Sequence, residues 1–244
     1  MSGHTQFVEF NGFKSVPYNT SSGTPEGSNL APLIFAIFVN DITNTISSDC
    51  VLYADDLKIF RTINNIQDCI ELQKDINSLS AWCSNNKLML NINKCHSMTI
   101  SNLNQELNFD YSLDNNTLTS VESIRDLGVI IDKKLTFSEH IDEVVQATLK
   151  TLGFIFRSTK DFTKTESFIT LYNSLIKSKL QYAALIWFPN YDIHVDRLEY
   201  VQRRFLKYLS FKLDGVYPPR RFDHNLSLQR FNFLSLKQNT ILAS

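Results

Sequence analysis

The stretch Cys50–Phe60 reads Cys-Val-Leu-Tyr-Ala-Asp-Asp-Leu-Lys-Ile-Phe, two short β-prone runs joined by an Ala-Asp-Asp turn. This pattern predicts a hairpin with Ala54, Asp55 and Asp56 at its tip. In the middle of one strand, adjacent aspartates would point to opposite faces, whereas at a hairpin tip both can serve one site. Two carboxylates so close repel each other unless a cation lies between them, and hard oxygen ligands suit Mg²⁺ bound together with phosphates. The alternative is a plain turn, because aspartate is common in turns.

The segment before this hairpin predicts another hairpin and a helix. Phe7–Phe10 and Phe13–Val16 have alternating apolar positions on either side of an Asn-Gly pair, which is the strongest short signal for a hairpin. A loop is predicted over Tyr18–Gly27, which is rich in Ser, Thr, Gly and Pro. Ser28 is the predicted N-cap of a helix over Asn29–Thr45. Because that helix has little polar surface, we expect it to be buried.

The segment after the hairpin predicts one amphipathic helix, then short strands, then long helices. Apolar residues at three- and four-residue steps place the first helix between Asn65 and the Asn85-Asn86 pair. The predicted strands are Lys94–Ile100, Tyr111–Leu113, Thr117–Thr119 and Leu127–Ile131, and the predicted helices are Phe137–Arg157, Glu166–Trp187 and Val195–Leu209. Trp82 and Trp187 have apolar neighbours at helical spacing, which favours core positions over base-stacking platforms. The fold class is therefore α+β, with an αβ part up to residue 132 and a helical part after it.

The composition excludes several classes of protein. With 244 residues, 43% hydrophobic residues, 20% charged residues and a net charge of −1, the chain is not a disordered polymer, a collagen-like repeat or a broadly basic nucleic-acid coat. The longest apolar run, Leu30–Val39, is shorter than the roughly 20 residues of a membrane span. Met1–Phe10 lacks the pattern of a secretory signal. We therefore expect an intracellular protein, in either the nucleus or the cytoplasm.

The cysteines argue against zinc. Cys50, Cys69, Cys83 and Cys95 contain no closely spaced pair, whereas zinc ligands normally occur in such pairs. We expect reduced and mostly buried thiols, as is usual in intracellular proteins.

Charge is distributed unevenly along the chain. Residues 1–60 contain two Lys or Arg against six Asp or Glu, whereas residues 150–221 contain thirteen against six. The densest basic positions are Arg203, Arg204, Lys207, Arg220 and Arg221. One interpretation is a set of solvated helix faces. The other is a basic helical arm that holds a phosphate backbone near an acidic site.

Several short motifs, taken in order, resemble one family. They are Gly23-Thr24-Pro25-Glu26-Gly27-Ser28, Leu30-Ala31-Pro32-Leu33-Ile34-Phe35, Leu52-Tyr53-Ala54-Asp55-Asp56, Trp82 with Lys87-Leu88 and Asn91 to Cys95, and Leu127-Gly128-Val129 with Asp132 and His140. This series is similar to motifs B, C and D and the following segment in the reverse transcriptase of non-LTR retrotransposons of the LINE type, including the jockey-like ones. The resemblance covers about 200 residues and continues through Tyr172, Trp187 and Val201–Phe205 into the helices that these elements place after the palm.

The resemblance implies an RNA-directed DNA polymerase with RNA template, DNA primer and deoxynucleotides as partners. Asp55, with Asp56 beside it, would bind catalytic Mg²⁺, with Mn²⁺ as an alternative ion, and Tyr53 and Ala54 would lie under the primer end. The residues that would line the nucleotide and template pocket are Pro25, Glu26, Gly27 and Ser28. Lys94 would help to protonate the pyrophosphate, although an ordinary exposed lysine is an equal alternative.

The resemblance also divides the chain and assigns its basic helix. Residues 1–132 would form a partial palm of short antiparallel strands with packed helices, residues 133–212 an all-helical thumb, and residues 213–244 a C-terminal extension. Arg203, Arg204 and Lys207 would contact the nucleic-acid backbone.

Two departures from the family pattern affect the expected activity. Glu26 stands where the family usually has Gln, which adds negative charge beside phosphates. The residues before Phe7 do not encode motif A, with its further metal-binding aspartate, or the fingers. We therefore expect little or no polymerase activity from this chain alone, and an exposed sheet edge that could be covered by a chain supplying the missing palm strand. The alternatives are a non-catalytic remnant that binds nucleic acid or protein, and an unstable relic.

Overall fold

The computed structural model describes residues 4–20, 28–101, 107–189, 191–219 and 223–243. The chain divides into two compact units, and each is described by itself. The first unit comprises Met1–Ser97 with Gln105–Thr119, and the second comprises Met98–Asn104 with Ser120–Ser244. Short strands and helices occur in both, which agrees with the predicted α+β class. Among the helices in the described ranges, none is long and apolar enough to cross a membrane.

The first unit opens with an antiparallel hairpin. After β1 (His4–Gln6), strand β2 (Glu9–Phe10) pairs with β3 (Phe13–Lys14) across Asn11 and Gly12. The φ angles of Asn11 and Gly12 are 49° and 81°. Asn and Gly adopt a positive φ more readily than other residues, which is why this pair favours two-residue hairpin turns. The predicted Asn-Gly hairpin is confirmed.

This hairpin extends further than the sequence predicted. Strand β4 (Tyr18–Thr20) pairs with β1, and the Tyr18 hydroxyl donates a hydrogen bond to Gln6 Oε1 at 2.9 Å. Tyr18 therefore begins a strand, and the predicted loop over Tyr18–Gly27 is wrong at its start because the pairing partner lies twelve residues earlier. Residues 21–27, the rest of that loop, lie outside the described residues.

The first helix lies where it was predicted but is shorter and more exposed. Helix α1 (Ala31–Val39) leads into a 3-10 helix over Asn40–Thr45. Ser28 Oγ accepts a hydrogen bond from the Leu30 N–H at 3.2 Å, but Leu30 is the N-cap, so Ser28 lies two residues before the cap position rather than at it. Within α1 only Val39 is buried. The prediction of a buried helix is wrong, because the apolar cluster of this unit reaches only one side of α1.

The remaining elements of the first unit are one long helix and several short strands and turns. They are β5 (Asp49–Tyr53), β6 (Asp56–Phe60), α2 (Ile66–Asn85), a 3-10 turn over Ile92–Lys94, β7 (His96–Ser97), β8 (Ser112–Leu113) and β9 (Asn116–Thr117), with β10 (Thr119–Ser120) at the boundary between the units. The long strand predicted over Lys94–Ile100 is wrong, since only His96 and Ser97 form a strand.

Helix α2 begins and ends as predicted. The Asn65 side chain accepts hydrogen bonds from Gln67 N–H at 2.8 Å and Asp68 N–H at 3.2 Å, and Asp68 accepts one from Asn65 N–H in return. Such a reciprocal capping box satisfies N–H groups that have no partner inside the helix. The inner face of α2 contributes Leu79 and Trp82 to the core. The core position predicted for Trp82 is confirmed.

The second unit begins with a hairpin that the sequence predicted only in part. Strand β11 (Ser123–Asp126) pairs with β12 (Val129–Asp132) across Leu127 and Gly128, whose φ angles are 44° and 86°. Leu127 was predicted to start a strand, but it lies in the turn, a position that a bulky residue rarely occupies. Because this hairpin clusters with the helices, the boundary between units falls near residue 120. The assignment of residues 1–132, 133–212 and 213–244 to functional domains stays a prediction.

Asp132 organises the connection from β12 to the next helix. Its carboxylate accepts hydrogen bonds from the N–H groups of Lys134 and Thr136, both at 3.1 Å, and of Phe137 at 2.7 Å. Burial raises the pKa of Asp132, but these bonds and that from the Thr136 hydroxyl outweigh burial and lower the pKa below its ordinary 3.8. Helix α3 (Ser138–Ser158) follows directly.

Helices form the rest of the second unit. They are α4 (Thr165–Tyr172), a π-helical turn over Asn173–Lys177, α5 (Ser178–Gln181), α6 (Ala184–Trp187), α7 (Asp192–Asp214), α8 (His224–Arg230) and α9 (Leu236–Ala243). The helix predicted over Glu166–Trp187 is interrupted, because Ala183 adopts a φ of 51°. The helices predicted over Phe137–Arg157 and Val195–Leu209 are confirmed, the latter as part of the longer α7. Trp187 is buried, as predicted.

Helix α7 lies at the centre of this unit. Tyr172 stacks on Phe205 with ring centroids 4.2 Å apart, and Leu152 from α3 belongs to the same fully buried core. Glu199, also buried, accepts a hydrogen bond from Leu236 N–H at 2.6 Å and lies 3.4 Å from His224 Nε2. One carboxylate of α7 therefore contacts both C-terminal helices.

Candidate functional site

The hairpin of β5 and β6 carries the predicted site at its tip. Tyr53 pairs with Asp56, so Ala54 and Asp55 form a two-residue turn. Asp56 is the first residue of β6 rather than part of the turn, which corrects the predicted three-residue connection. Ala54 has a φ of 52°, a conformation that costs an L-residue about 1 kcal/mol. The strained turn thus places Asp55 directly before Asp56, the first residue of β6.

The two faces of this hairpin differ. Leu52, Leu57 and Ile59 pack against the apolar cluster of α1 and α2. Residues that pair directly across an antiparallel ladder share a face, so Tyr53 and Asp56 lie together on the opposite side. Tyr53 is 61% exposed there. The outer face therefore presents an aromatic ring beside a carboxylate.

Asp55 and Asp56 are available to a ligand. Both are exposed, and within the described ranges neither carboxylate has a hydrogen bond or an ion pair with another side chain. The described residues also hold no group of three or more His, Cys, Asp or Glu that could bind a metal. Mg²⁺ is commonly held by one or two protein carboxylates together with substrate phosphates. The pair therefore fits the protein part of such a site.

The other residues predicted near the site are only partly described. Pro25, Glu26 and Gly27 lie outside the described residues, and Ser28 is half-buried at the start of α1. Lys94 is exposed at the end of its 3-10 turn. No hydrogen bond or ion pair in the described part of the chain joins Ser28 or Lys94 to the hairpin tip. The structure therefore brings together Tyr53, Ala54, Asp55 and Asp56 alone.

The sequence analysis missed Asp75 on α2, a buried carboxylate that contacts the segment before the β5–β6 hairpin. Its carboxylate binds the segment that leads into β5, where it accepts hydrogen bonds from Ser47 and Ser48. Burial raises the pKa of Asp75, but these hydrogen bonds outweigh burial and hold the pKa below its ordinary value of 3.8. The only signal in the sequence is a carboxylate among the apolar residues of an amphipathic helix.

The predicted basic positions lie on one side of α7. Tyr200, Arg203, Arg204 and Lys207 follow each other at helical spacing, which places them on one face. Arg204 is exposed, and its guanidinium lies 5.9 Å from the ring centroid of Tyr200. Arg203 and Lys207 are half-buried. Arg220 and Arg221 lie outside the described residues.

This combination of charge and aromatic surface suits nucleic acid, since basic side chains contact phosphates and aromatic rings stack on bases. Tyr200 was not singled out from the sequence, although it stands four residues before Arg204. The four cysteines are free, with Cys69 and Cys83 buried and Cys50 and Cys95 half-buried, so the expectation of mostly buried thiols holds for two of them.

Comparisons with known proteins identify the family that the chain resembles. Residues 4–156 match the family model of reverse transcriptase (RNA-dependent DNA polymerase). The RNA-directed DNA polymerase from mobile element jockey of Drosophila melanogaster is 23% identical over 218 residues, which cover 84% of this chain and 24% of that protein. The jockey polymerase of Drosophila funebris is 22% identical over 215 residues, which cover 83% of this chain and 23% of that protein.

A third relative is the probable RNA-directed DNA polymerase from transposon X-element of Drosophila melanogaster, 20% identical over 219 residues, which cover 86% of this chain and 24% of that protein. The chain thus spans about a quarter of the length of these curated relatives. No solved structure gives a significant match.

Proposed function

Because the chain belongs to the reverse transcriptase family and is homologous to the polymerases of non-LTR retrotransposons, we propose that it forms part of a working RNA-directed DNA polymerase. Its site is the tip of the β5–β6 hairpin. The observation that supports this proposal is the pair of exposed carboxylates, Asp55 and Asp56, which have no partner among the described residues.

Asp55 and Asp56 are the residues that would hold Mg²⁺, or Mn²⁺ in its place, in a two-metal site. Bound there, the metal ions would neutralise the charge that develops on the transferred phosphoryl group and orient the attacking and leaving oxygens. Tyr53, on the same face as Asp56, offers an apolar surface to the primer end. Lys94 would supply a proton to the pyrophosphate.

The other assignments follow the same proposal. Pro25, Glu26, Gly27 and Ser28 would line the nucleotide and template pocket. Arg203, Arg204 and Lys207 would contact the phosphates of the template and primer. Arg204 is the best placed of these three, because it is exposed and lies beside an aromatic ring.

We expect the chain by itself to be a weak polymerase. A two-metal site needs ligands for both ions, and the described residues offer only the two tip carboxylates. A further carboxylate would come from a palm strand, either in the same protein or in a partner chain.

The second candidate function is binding of nucleic acid without catalysis. The basic and aromatic face of α7 supports it, since that face does not depend on the hairpin tip for its charge. Binding of a protein partner is a related alternative, supported by the exposed apolar side of α1, where Leu33 is 57% and Ile37 68% exposed.

Primer extension separates the two candidates. The chain is incubated with an RNA template, a DNA primer, deoxynucleotides and Mg²⁺, and Asp55→Asn is compared with Asp49→Asn, a matched exposed aspartate at the other end of β5. Incorporation that is lost in Asp55→Asn and kept in Asp49→Asn supports the polymerase. Salt-sensitive binding of template and primer with no incorporation by any of the three proteins supports the non-catalytic function for this chain by itself.

A further inference from the structure

We propose that Asp75 and Arg61 are positioning residues for the tip carboxylates, because they clamp the open end of the β5–β6 hairpin onto α2. This inference rests on the proposed function of the tip. It assigns a role in the site to residues at the opposite end of the hairpin.

The first arm of the clamp is Asp75, which is 6% exposed. Its Oδ1 accepts a hydrogen bond from Ser47 N–H at 2.9 Å, and its Oδ2 accepts one from Ser48 N–H at 2.8 Å. The hydroxyls of both serines also donate to this carboxylate. Ser48 directly precedes β5, so one buried side chain of α2 fixes the start of that strand.

The second arm is Arg61, which directly follows β6. Its guanidinium donates to Ser47 Oγ and Ser48 Oγ, both at 3.3 Å, and pairs with Glu71 on α2. The ends of both strands are therefore held on the same helix, through side chains one helical turn apart.

A buried carboxylate in the middle of α2 is costly unless hydrogen bonds compensate for its lost hydration. An apolar residue at that position would lose no such hydration on burial. The hydrogen bonds to Ser47 and Ser48 therefore explain why a carboxylate is tolerated at this position, although the residues around it on the inner face of α2 are apolar.

The clamp is expected to set the register of the hairpin. Two strands alone are marginally stable in water, and a slip of one residue would move every side chain to the opposite face. The turn gives little help, since Ala54 adopts a strained φ. Fixing Ser48 and Arg61 against α2 favours the register in which Tyr53 pairs with Asp56 and Asp55 stays in the turn.

Hydrogen exchange of the full chain tests the clamp without depending on catalysis. In Asp75→Asn, we expect amide exchange in β5 and β6 to accelerate about tenfold or more, as for the loss of hydrogen bonds to a charged group, while α3 keeps its protection. The control is Asp68→Asn, which removes a carboxylate of the same helix that binds Asn64 and Asn65 instead. Unchanged protection of the hairpin in Asp75→Asn would overturn the clamp.

Arg61→Gln provides a second variant if Asp75→Asn fails to fold. Arg61 is partly exposed, so its loss leaves no uncompensated buried charge. We expect faster exchange at the open end of the hairpin, again with α3 unaffected. Equal loss of protection throughout the first unit would show general stabilisation rather than positioning, and would overturn the inference.

Mn²⁺ affinity connects the clamp to the tip. We expect Asp55→Asn to abolish binding and Asp75→Asn to weaken it about tenfold, as for residues that orient metal ligands. If Asp55→Asn binds Mn²⁺ as wild type does, the proposed function fails, and the exchange data alone decide the clamp. If Asp55→Asn loses Mn²⁺ while a folded Asp75→Asn binds it normally, the positioning role is overturned and the proposed function stands.

Discussion

The hairpins β5–β6 and β11–β12 share a local geometry but differ in their surroundings. Each joins two antiparallel strands through a two-residue turn whose first residue, Ala54 or Leu127, adopts a positive φ. In β11–β12 the turn is bonded to a helical segment, because the Tyr182 hydroxyl donates a hydrogen bond to the Leu127 carbonyl at 2.8 Å. In β5–β6 the turn and the first residue of β6 carry the exposed carboxylates of Asp55 and Asp56.

The strands differ in the same way. Val129 and Ile130 of β12 are buried, and His140 of α3 accepts a hydrogen bond from Ile130 N–H at 3.3 Å. The strands of β5–β6 contain no buried residue. The β11–β12 hairpin therefore packs against the rest of the second unit through buried residues. The β5–β6 hairpin is instead held at its open end and on one face. A strained turn beside exposed carboxylates is a better indication of a binding role than strain alone.

The largest expected difference concerns metal binding. We expect Asp55→Asn to abolish Mn²⁺ binding, because it removes a direct ligand. Leu127→Asn, the matched change in the first residue of the other turn, is expected to leave affinity unchanged. Titration of Mn²⁺ monitored by water proton relaxation measures both. Equal effects of the two changes would remove the functional distinction between the hairpins.

The second difference concerns backbone strain. Gly128 has a φ of 86°, and an added Cβ would lie 3.4 Å from the Tyr182 ring. We expect Gly128→Ala to destabilise the protein by about 1 to 2 kcal/mol. Ala54→Gly is expected to leave stability unchanged or to raise it, since glycine adopts a positive φ at little cost. Thermal unfolding followed by circular dichroism checks both, and a loss of stability in Ala54→Gly would contradict the strain at that turn.

A smaller effect is expected from Tyr182→Phe. This change removes only the hydroxyl that donates to Leu127, so we expect a loss of about 1 kcal/mol. Chemical denaturation measures it. Tyr53→Phe, in the exposed hairpin, is the control and should leave stability unchanged. If both changes had the same effect, the hydrogen bond from Tyr182 to the Leu127 turn would contribute nothing specific.

The smallest expected effect is a difference in pH dependence. Burial lowers the pKa of His140 below its ordinary 6.5, and the neighbouring Arg125 lowers it further, while Glu143 opposes both. Below pH 6.5 the unfolded chain therefore binds a proton that the folded chain resists, so the second unit loses stability as pH falls through that range. His140→Asn should reduce this dependence.

The first unit should respond in a more acidic range. Because the pKa of Asp75 is lowered from 3.8, its contribution to stability is complete above that pH and is lost as pH falls through the folded-state value. Hydrogen exchange at pH 7 and pH 5 compares the two units. Equal loss of protection in both hairpins, measured relative to the intrinsic exchange rate at each pH, would contradict the assignment to His140.

Local signals in the sequence predicted the elements that form through neighbouring residues. Asn11-Gly12, the Asn65 cap and the Ala54-Asp55 turn all act within a few residues, so their effect is visible in a short segment. The candidate site at the hairpin tip could be predicted from the sequence for the same reason. Its family was recognised because the short motifs occur in the right order.

Features that depend on distant residues were not predictable in this way. The exposure of α1 depends on what covers it, and the turn at Leu127 is stabilised by Tyr182, 55 residues later. Asp75 lies 28 residues from Ser47, and no spacing rule links a carboxylate on a helix to a serine before a strand. Such contacts follow from the folded arrangement alone.

The position of Glu199 bears on how this protein can be shortened. A cut after residue 212, at the predicted edge of the helical domain, would remove Leu236 and His224, the partners of this buried carboxylate. The buried carboxylate of Glu199 would then have no partner for its charge, which is strongly destabilising. The last two helices are thus part of the smallest piece of the second unit that can be expected to fold, and a shorter gene product would be recovered as insoluble material.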